Sequence, residues 1–505
     1  MPIPIVNSIA SWFLKKRIHQ MELFFKYPHE VQDELLMYLI QKGIKTEYGQ
    51  SYGFESLSNY DDFARNVPVG NYTTKAELIE RTRSGESNVI WPSAIKWFAK
   101  SSGTSNSKSK FIPVSPEALE DCHYAASKDL LCVYLHNHPD SELFIGKNLR
   151  LGGSKKLYKD KGTVYGDLSA ILIDNMPFWA EFSSTPSNEV SLLSDWEVKL
   201  QAIVEETIEE RVSSLAGVPS WMLVLLNEVL ETTGAAHLHE IWPELEVYFH
   251  GGVNFDPYKD QYKNLLPKSD FRYYEIYNAS EGFFALQDQS NSDELLLMLD
   301  YGIFYEFIPM ETYETDRQKV IPLSQVEIGK NYAVVITTNA GLWRYIIGDT
   351  VRFTSLSPYR IKITGRTKHH INVFGEELII ENAEEALRIA SRVQEAEIVD
   401  YTAGPIFMEG KTKGAHQWLI EFKTAPKNLK TFCRILDKAL QDLNSDYEAK
   451  RTGNITLNPP EIVSVRPKLF YDWLKSKEKL GGQHKVPRLS NRRDFIEELL
   501  SLNKQ

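Results

Sequence analysis

Residues 101–110 read SSGTSNSKSK. Ser101, Ser102 and Thr104 flank Gly103, and Lys108 and Lys110 follow within one loop's length. An apolar run precedes the stretch (Ile95, Trp97, Phe98) and another succeeds it (Phe111, Ile112, Val114). A polar loop between two strand-like segments can turn several backbone N–H groups and hydroxyls toward one point with ammonium groups nearby, which is how proteins hold phosphate oxygens. A solvated Ser/Lys turn has the same composition, so the choice depends on the rest of the chain.

At 505 residues the chain exceeds one ordinary core, and a prior of ~150 residues per domain predicts two to four domains or subdomains. Apolar residues make up 42% and charged residues 25%, a globular balance. The net charge of -11 argues against a general nucleic-acid binder, which needs a basic surface to displace counterions. Cys122, Cys132 and Cys433 have no paired metal spacing and fit a reducing compartment. At the N-terminus the basic cluster Lys15–Lys16–Arg17 follows the apolar run, the reverse of a signal peptide. No apolar stretch reaches the ~20 residues that span a bilayer. The expectation is a cytoplasmic protein with no membrane partner.

Residues 1 to about 90 carry helical periodicity, including Val31, Leu35, Leu36, Leu39 and Ile40. Val67–Pro68–Val69 reads as extended, before a helix for which Thr73 or Thr74 is the expected cap. Pro116–Tyr134 has a helical apolar stripe, on which His123, Tyr124 and Lys128 face either a pocket beside the phosphates or the core and solvent. LFIGKNLRLGGS predicts strand, turn and strand, with a loop around Tyr158–Asp167. Asp195–Thr232 predicts a covering helix pair.

Leu245–Phe249 reads as a strand ending at Gly251–Gly252, where a backbone or flat ligand can approach, or where the chain makes a tight turn. Tyr273–Tyr277 alternates as a strand does before the break Asn278–Ala279–Ser280–Glu281–Gly282. Glu281 at that strand end suits a magnesium ion, or is a surface turn acid. LLLMLDYGIFYEFIPM predicts one hairpin and YAVVITTNAGLWRYIIGDTVRF another, with the strand holding Arg344 ending at Gly348–Asp349. A carboxylate there can accept both hydroxyls of a ribose, or cap a turn. A strand ends at Gly365, a charged connector Arg366–His370 follows, and alternating strand and helix patterns complete an α+β module. The tail LGGQHKVPRL carries Lys485 on a glycine-tethered segment that also reads as solvated surface.

Taken together, FARNVPVGNY, SSGTSNSKSK, FHGGVNFDPY, YNASEGFFAL, LWRYIIGD, ITGRTKHHINVFGEEL and GGQHKVPRL occur in the order of one family. The chain resembles the auxin-responsive Gretchen Hagen acyl acid–amido synthetases, a branch of the adenylate-forming superfamily that includes firefly luciferase. The resemblance implies an α/β (mixed α+β) fold. A large N-terminal domain (1–366) of mixed sheets and covering helices would hold ATP and the acyl acid. A small mobile C-terminal domain (367–505) would turn on a hinge near Arg366–Lys368. Ser101, Ser102, Gly103, Thr104 and Lys110 would contact ATP phosphates. Gly252 would lie near the adenine, with Tyr277, Asn278 and Ser280 around the base. Glu281 would bind Mg2+, Asp349 the ribose and Arg366 the nucleotide, while Lys485 would enter the site as the catalytic cation. His123, Tyr124 and Lys128 occupy the acyl-lining helix. Asn106 and Ser107 stand where the family has glycines. Asn tolerates a left-handed backbone better than Ser does, so a stiffer loop is expected.

The implied activity is a two-step ligation by a monomer: a carboxylic acid becomes an acyl-adenylate, and an amino acid amine then takes the acyl group. Two alternatives share the fold, an acyl-CoA ligase and a catalytically inactive nucleotide-binding homologue.

Overall fold

The computed structural model describes residues 17–504 except 103–108, 153–156, 161, 177, 194, 314, 316–317, 368–369, 409–411, 453–456 and 477–485. The N-terminal helices pack on the main core through Leu36, Leu39, Ile40 and Phe63. The helix Tyr72–Arg83 is capped by Asn71, not by a threonine. Asn71 accepts from the Thr74 amide at 3.3 Å, while the Thr74 hydroxyl accepts from the Asn71 amide at 3.1 Å. Thr74 is thus the reciprocal half of a capping box, with Asn71 at the N-cap and Thr74 three residues into the helix.

β1 (Trp97–Ser102) and β2 (Ser109–Val114) form the arms of a hairpin, with Ser101 opposite Lys110 and Ser102 opposite Ser109. A π-helical turn, Ala118–Tyr124, then leads into the helix Ala125–Asn137. The segment expected as strand, turn and strand holds a 3-10 turn, Leu143–Ile145, and one strand, β3 (Lys147–Leu151). Two short strands occupy the region expected as a loop, β4 (Tyr158–Asp160) and β5 (Thr163–Gly166), and β6 (Ser184–Thr185) comes next. The expected helix pair is divided by a strand. Between the helices Trp196–Thr207 and Pro219–Thr233 runs β7 (Val212–Gly217). A parallel strand covered on both faces needs no polar alternation, so its run of small and apolar residues merges with the helical pattern on either side.

β8 (Val247–Gly251), β9 (Arg272–Ala279) and β10 (Gly282–Leu286) lie side by side. β11 (Leu295–Leu297) and β12 (Ile303–Pro309) do not pair as a hairpin. β11 inserts between β10 and the later β16, and β12 pairs with β13 (Ile321–Pro322) and β14 (Asn331–Thr338). β14 and β15 (Tyr345–Leu356) do form the second expected pair, and β16 (Tyr359–Arg366) completes the sheet. The order is β13-β12-β14-β15-β16-β11-β10-β9-β8-β7-β3-β6, parallel from β6 to β9 and antiparallel beyond. Ligands in such sheets gather at the carboxyl ends of the parallel strands, here Leu151, Gly217, Gly251 and Ala279.

From His370 onward a two-stranded ribbon, β17 (His370–Ile371) and β18 (Leu378–Ile379), opens a second module. Its sheet is β19 (Glu397–Ile406), β20 (Ala415–Thr424) and β21 (Glu461–Val465). Alternation along β20 sends Trp418 and Ile420 toward the helices Ile380–Gln394 and Leu429–Leu443, and Leu419 toward Leu469 and Ile496. Helices therefore cover both faces. The module is tied to the larger body by the Tyr258 hydroxyl donating to the Val373 carbonyl at 2.8 Å and by Gln261 donating to Met408. All three cysteines are free thiols. No described helix is long and apolar enough to cross a membrane.

Candidate functional site

The hairpin arms are braced before they reach the loop. The Phe111 amide donates to the Tyr72 hydroxyl at 3.0 Å, and the Arg83 guanidinium sits 4.6 Å over the Phe111 ring. Ser101 and Lys100 line a cavity, and Lys110 lies close enough to two acids to stabilise their charge. Gly103, Thr104, Asn106 and Ser107 lie outside the described residues, as do Lys368 and Lys485, and Ser102 is described as backbone alone.

Asp349 does not end a strand. It sits within β15 at a bulge, where the residues between Ile346 and Thr350 oppose only the stretch from Val335 to Ala333. Gly348 permits this by adopting φ +95°. The bulge presents the Asp349 carboxylate to two partners. Its Oδ2 accepts from the Tyr277 hydroxyl at 2.8 Å and its Oδ1 lies 3.0 Å from Arg366 Nε. Arg366 Nη1 lies 3.5 Å from Glu377 Oε2. Glu281 lies in the turn between β9 and β10, where its charge acts on the buried Tyr345 hydroxyl.

Three carboxylates, Glu281, Asp349 and Glu377, thus face Arg366 and Lys110. Burial, then the charges of Glu377 and Asp349, push the Glu281 carboxyl up to about 7 against the pull of Lys110. Burial also raises Asp349, although Arg366 and Tyr277 favour its ionised form. Burial works against the charge on Arg366, but Asp349 and Glu377 outweigh it and hold the guanidinium protonated. The three acids of this cluster outnumber its two cations. Among the described residues no group of three or more His, Cys, Asp and Glu forms a metal cage. Mg2+ characteristically keeps its waters and takes one or two carboxylates with substrate phosphates, a donor set that Glu281 and its neighbours match.

Beside this cluster lies a cavity of about 630 Å³, within the range of small-molecule sites. Its apolar wall includes Leu131, Phe144, Phe249, Ile276 and Phe283, and Gly252, Asn278 and Ser280 also line it. A side chain at Gly251 would meet the Ile276 carbonyl at 2.5 Å, and Gly252 adopts φ +83°, so both glycines answer to geometry. Tyr124 and Lys128 line the cavity, and the Tyr124 hydroxyl donates to the Leu172 carbonyl at 3.0 Å. His123 is not among the lining residues: it is 5% exposed, and burial lowers its pKa to about 4. Tyr277 is likewise below the surface, reaching Asp349 instead of the cavity.

The C-terminal module closes one side. Asn372, Glu377 and the helix Ser445–Arg451 reach the cavity, with Lys450 Nζ 4.4 Å over the Trp221 ring and Asn372 donating to the Gly252 carbonyl at 3.3 Å. Glu377 lines the cavity and pairs with Arg366, so it joins the two parts of the site. Its neighbour Glu376 is wholly buried and accepts from the Phe374 amide and the His416 ring, anchoring the Gly375–Glu376–Glu377 turn. That turn lies within the ITGRTKHHINVFGEEL motif, yet nothing local marks Glu377 as the acid that reaches Arg366. Lys450 and Arg150, which also line the cavity, stand in no motif and left no signal in the sequence.

The same mixed α/β fold is found in solved ligases. A structure described as "AtGH3.15 acyl acid amido synthetase in complex with 2,4-DB" superposes with a TM-score of 0.62 at 18% identity, covering 100% of this chain and 97% of that one. A 2-hydroxyisobutyryl-CoA ligase bound to its acyl-adenylate and CoA superposes with a TM-score of 0.56 at 14% identity, covering 94% and 92%. In sequence, the GH3 family N-terminal domain matches residues 17–271, the GH3 family central domain 296–366 and the GH3 family C-terminal domain 381–494. The chain belongs to the GH3 family. It is 22% identical to the Arabidopsis thaliana indole-3-acetic acid-amido synthetase GH3.3, over 91% of this chain and 89% of that protein. It is 20% identical to the Nicotiana attenuata jasmonoyl–L-amino acid synthetase JAR4, over 96% and 95%.

Proposed function

We propose that this chain is an ATP-dependent acyl acid–amido synthetase that joins a small carboxylic acid to an amino acid. The observation that carries the reading is the Tyr277–Asp349–Arg366–Glu377 chain of contacts beside a 630 Å³ cavity, in a protein that matches GH3 domains along most of its length.

In the first step a carboxylate oxygen of the acid attacks the α-phosphorus of ATP, and the α–β bridging bond breaks to release pyrophosphate. In the second the amine attacks the activated carbonyl, AMP leaves, and the amine gives up a proton. Phosphoryl chemistry of this kind needs positioning and neutralisation of oxygen charge more than a protein nucleophile. Asp349 accepts from the ribose hydroxyls, Arg366 orients Asp349 and faces the nucleotide, and Asn278, Ser280 and Gly252 border the base. Ser101, Ser102, Gly103, Thr104 and Lys110 hold phosphate oxygens. Glu281 would hold Mg2+, which would supply charge neutralisation at the phosphates. Tyr124 and Lys128 lie along the acid's path.

Residues 367–505 act as a mobile domain hinged near Arg366–Lys368, and Lys485 is the cation it delivers. Ammonium on a flexible stem suits that role. The chain acts in the cytoplasm on small molecules, as a monomer.

A pyrophosphate-release screen of aryl, indole and fatty acids, crossed with amino acids and with coenzyme A, tests the reading. An amide product identified by mass is expected. A thioester alone would make the chain an acyl-CoA ligase, and ATP binding without pyrophosphate release across the panel would make it an inactive homologue.

A further inference from the structure

The cavity floor is one face of adjacent parallel strands. Register sets Asn148 opposite Ser214, and Arg150 opposite Ala216, which in turn stands opposite Phe249. Because side chains alternate, Asn148, Arg150, Ser214 and Ala216 share the face that lines the cavity, while Leu149, Leu215 and Tyr248 enter the second core on the other side. Ser214 and Ala216 are small, which leaves open space beside Arg150.

Arg150 is only 8% exposed. One Nη donates to Asn188 Oδ1, and the other lies 2.6 Å from the Met176 sulfur, a weak acceptor. The buried Nε has no hydrogen-bond partner among the described residues. Glu181 and Glu206 favour its charge from a distance, yet neither forms an ion pair with it, and Glu206 is occupied by the Ser187 amide and hydroxyl. Burial therefore prevails and lowers the Arg150 pKa. A guanidinium stays charged in proteins, and a buried one without a counter-ion costs several kcal/mol. Structural arginines of this chain satisfy that demand internally: Arg344 pairs with Glu306, and Arg451 with Asp437. Arg150 has a cavity where they have a carboxylate.

We infer that Arg150 is a specificity-determining residue that binds a second, non-reacting carboxylate of the substrates. This rests on the ligase reading. Arg150 stands two strand spacings from Phe249 on β8, ~10 Å at sheet geometry, and Gly252 lies three residues beyond Phe249, so the anion it binds is remote from the proposed nucleotide side. That span suits an α,ω-dicarboxylic acid lying along the apolar wall. The amino acid's own carboxylate offers the same chemistry, and the two half-reactions separate these sources.

The probes are suberate, its monomethyl ester and octanoate, with the full-length protein and its Arg150→Met and Arg150→Lys variants. Acid-dependent ATP–pyrophosphate exchange, which needs no amine, is expected to favour suberate over the ester by about 10–100-fold, as for loss of a charged hydrogen bond. Arg150→Met should erase the preference and Arg150→Lys retain part of it. If exchange is indifferent but amide formation prefers glycine over glycinamide, and Arg150→Met removes that preference, the carboxylate comes from the amine. Indifference in both half-reactions overturns the inference. The wild-type comparison decides the acid arm even if Arg150→Met does not fold. Thermal stabilisation by suberate and not by its ester is read separately. If it persists without any exchange, the ligase reading fails while the anion site stands.

Discussion

The Tyr277 hydroxyl donates to Asp349 Oδ2 at 2.8 Å, across 72 residues of chain. β9 supplies the phenol and the bulge in β15 supplies the carboxylate, so each orients a group the other strand holds. Arg366, directly opposite Asp349 in the β15–β16 register, restrains the second oxygen. An acid held on both oxygens has a fixed orientation.

Tyr277→Phe keeps the ring and its packing on Phe284 while releasing Asp349. The expected result is a rise in KM for ATP of about 5–10-fold, equivalent to ~1–1.5 kcal/mol for one hydrogen bond, with thermal stability little changed. Asp349→Ala should also abolish discrimination between ATP and 2′-deoxy-ATP in pyrophosphate exchange. Retained discrimination would remove Asp349 from the ribose.

Glu281 titrates near neutrality, which sets a pH dependence. The protonated carboxyl cannot ligate a cation, so exchange activity should rise with pH through an apparent pKa near 7, and that midpoint should fall as Mg2+ is raised. Stability runs the other way in the ligand-free protein. With a folded pKa of about 7 against an ordinary 4.5, the folded state binds more protons than the unfolded one between those values. Ionised Glu281 is then a destabilising group whose penalty grows from pH 4.5 to 7. Glu281→Gln should be more stable than wild type at pH 8, on the order of 1–3 kcal/mol, and equal to it at pH 4. Denaturant titrations at the two pH values measure this.

The Arg344–Glu306 pair is fully interior, with side chains 5% and 1% exposed. Arg344 Nη1 also donates to the carbonyls of Ala64 and Val67, holding the FARNVPVG segment against β12. Breaking one partner strands a buried charge, so Arg344→Met should destabilise by ~3–5 kcal/mol in urea unfolding, and adding Glu306→Met should recover part of that.

For Lys485→Ala, pyrophosphate exchange should fall by about 10²–10³, as for loss of one electrostatic donor, while ATP binding by calorimetry persists. Unchanged exchange would exclude the lysine from the adenylation step.

Strands with sharp punctuation were legible. Gly251–Gly252 at the end of β8 and the Ser280–Glu281 turn between β9 and β10 stand where glycine and polar residues predict them. β7 was not legible, because a strand buried on both faces between two helices lacks period-two alternation. Nor was the partner of β11, since three leucines carry no information about which strand lies beside them.

Order along the chain therefore determined the family, the β1–β2 hairpin and the identity of the polar residues at each turn, because motif order and turn chemistry can be read locally. Folding in three dimensions decided that Tyr277 serves Asp349, that Glu377 links the two halves of the site, and that Arg150 meets a cavity while Arg344 meets a carboxylate. Two arginines have the same side chain and the same need for a counter-charge. Only long-range packing determines whether the protein supplies it or leaves it to a ligand.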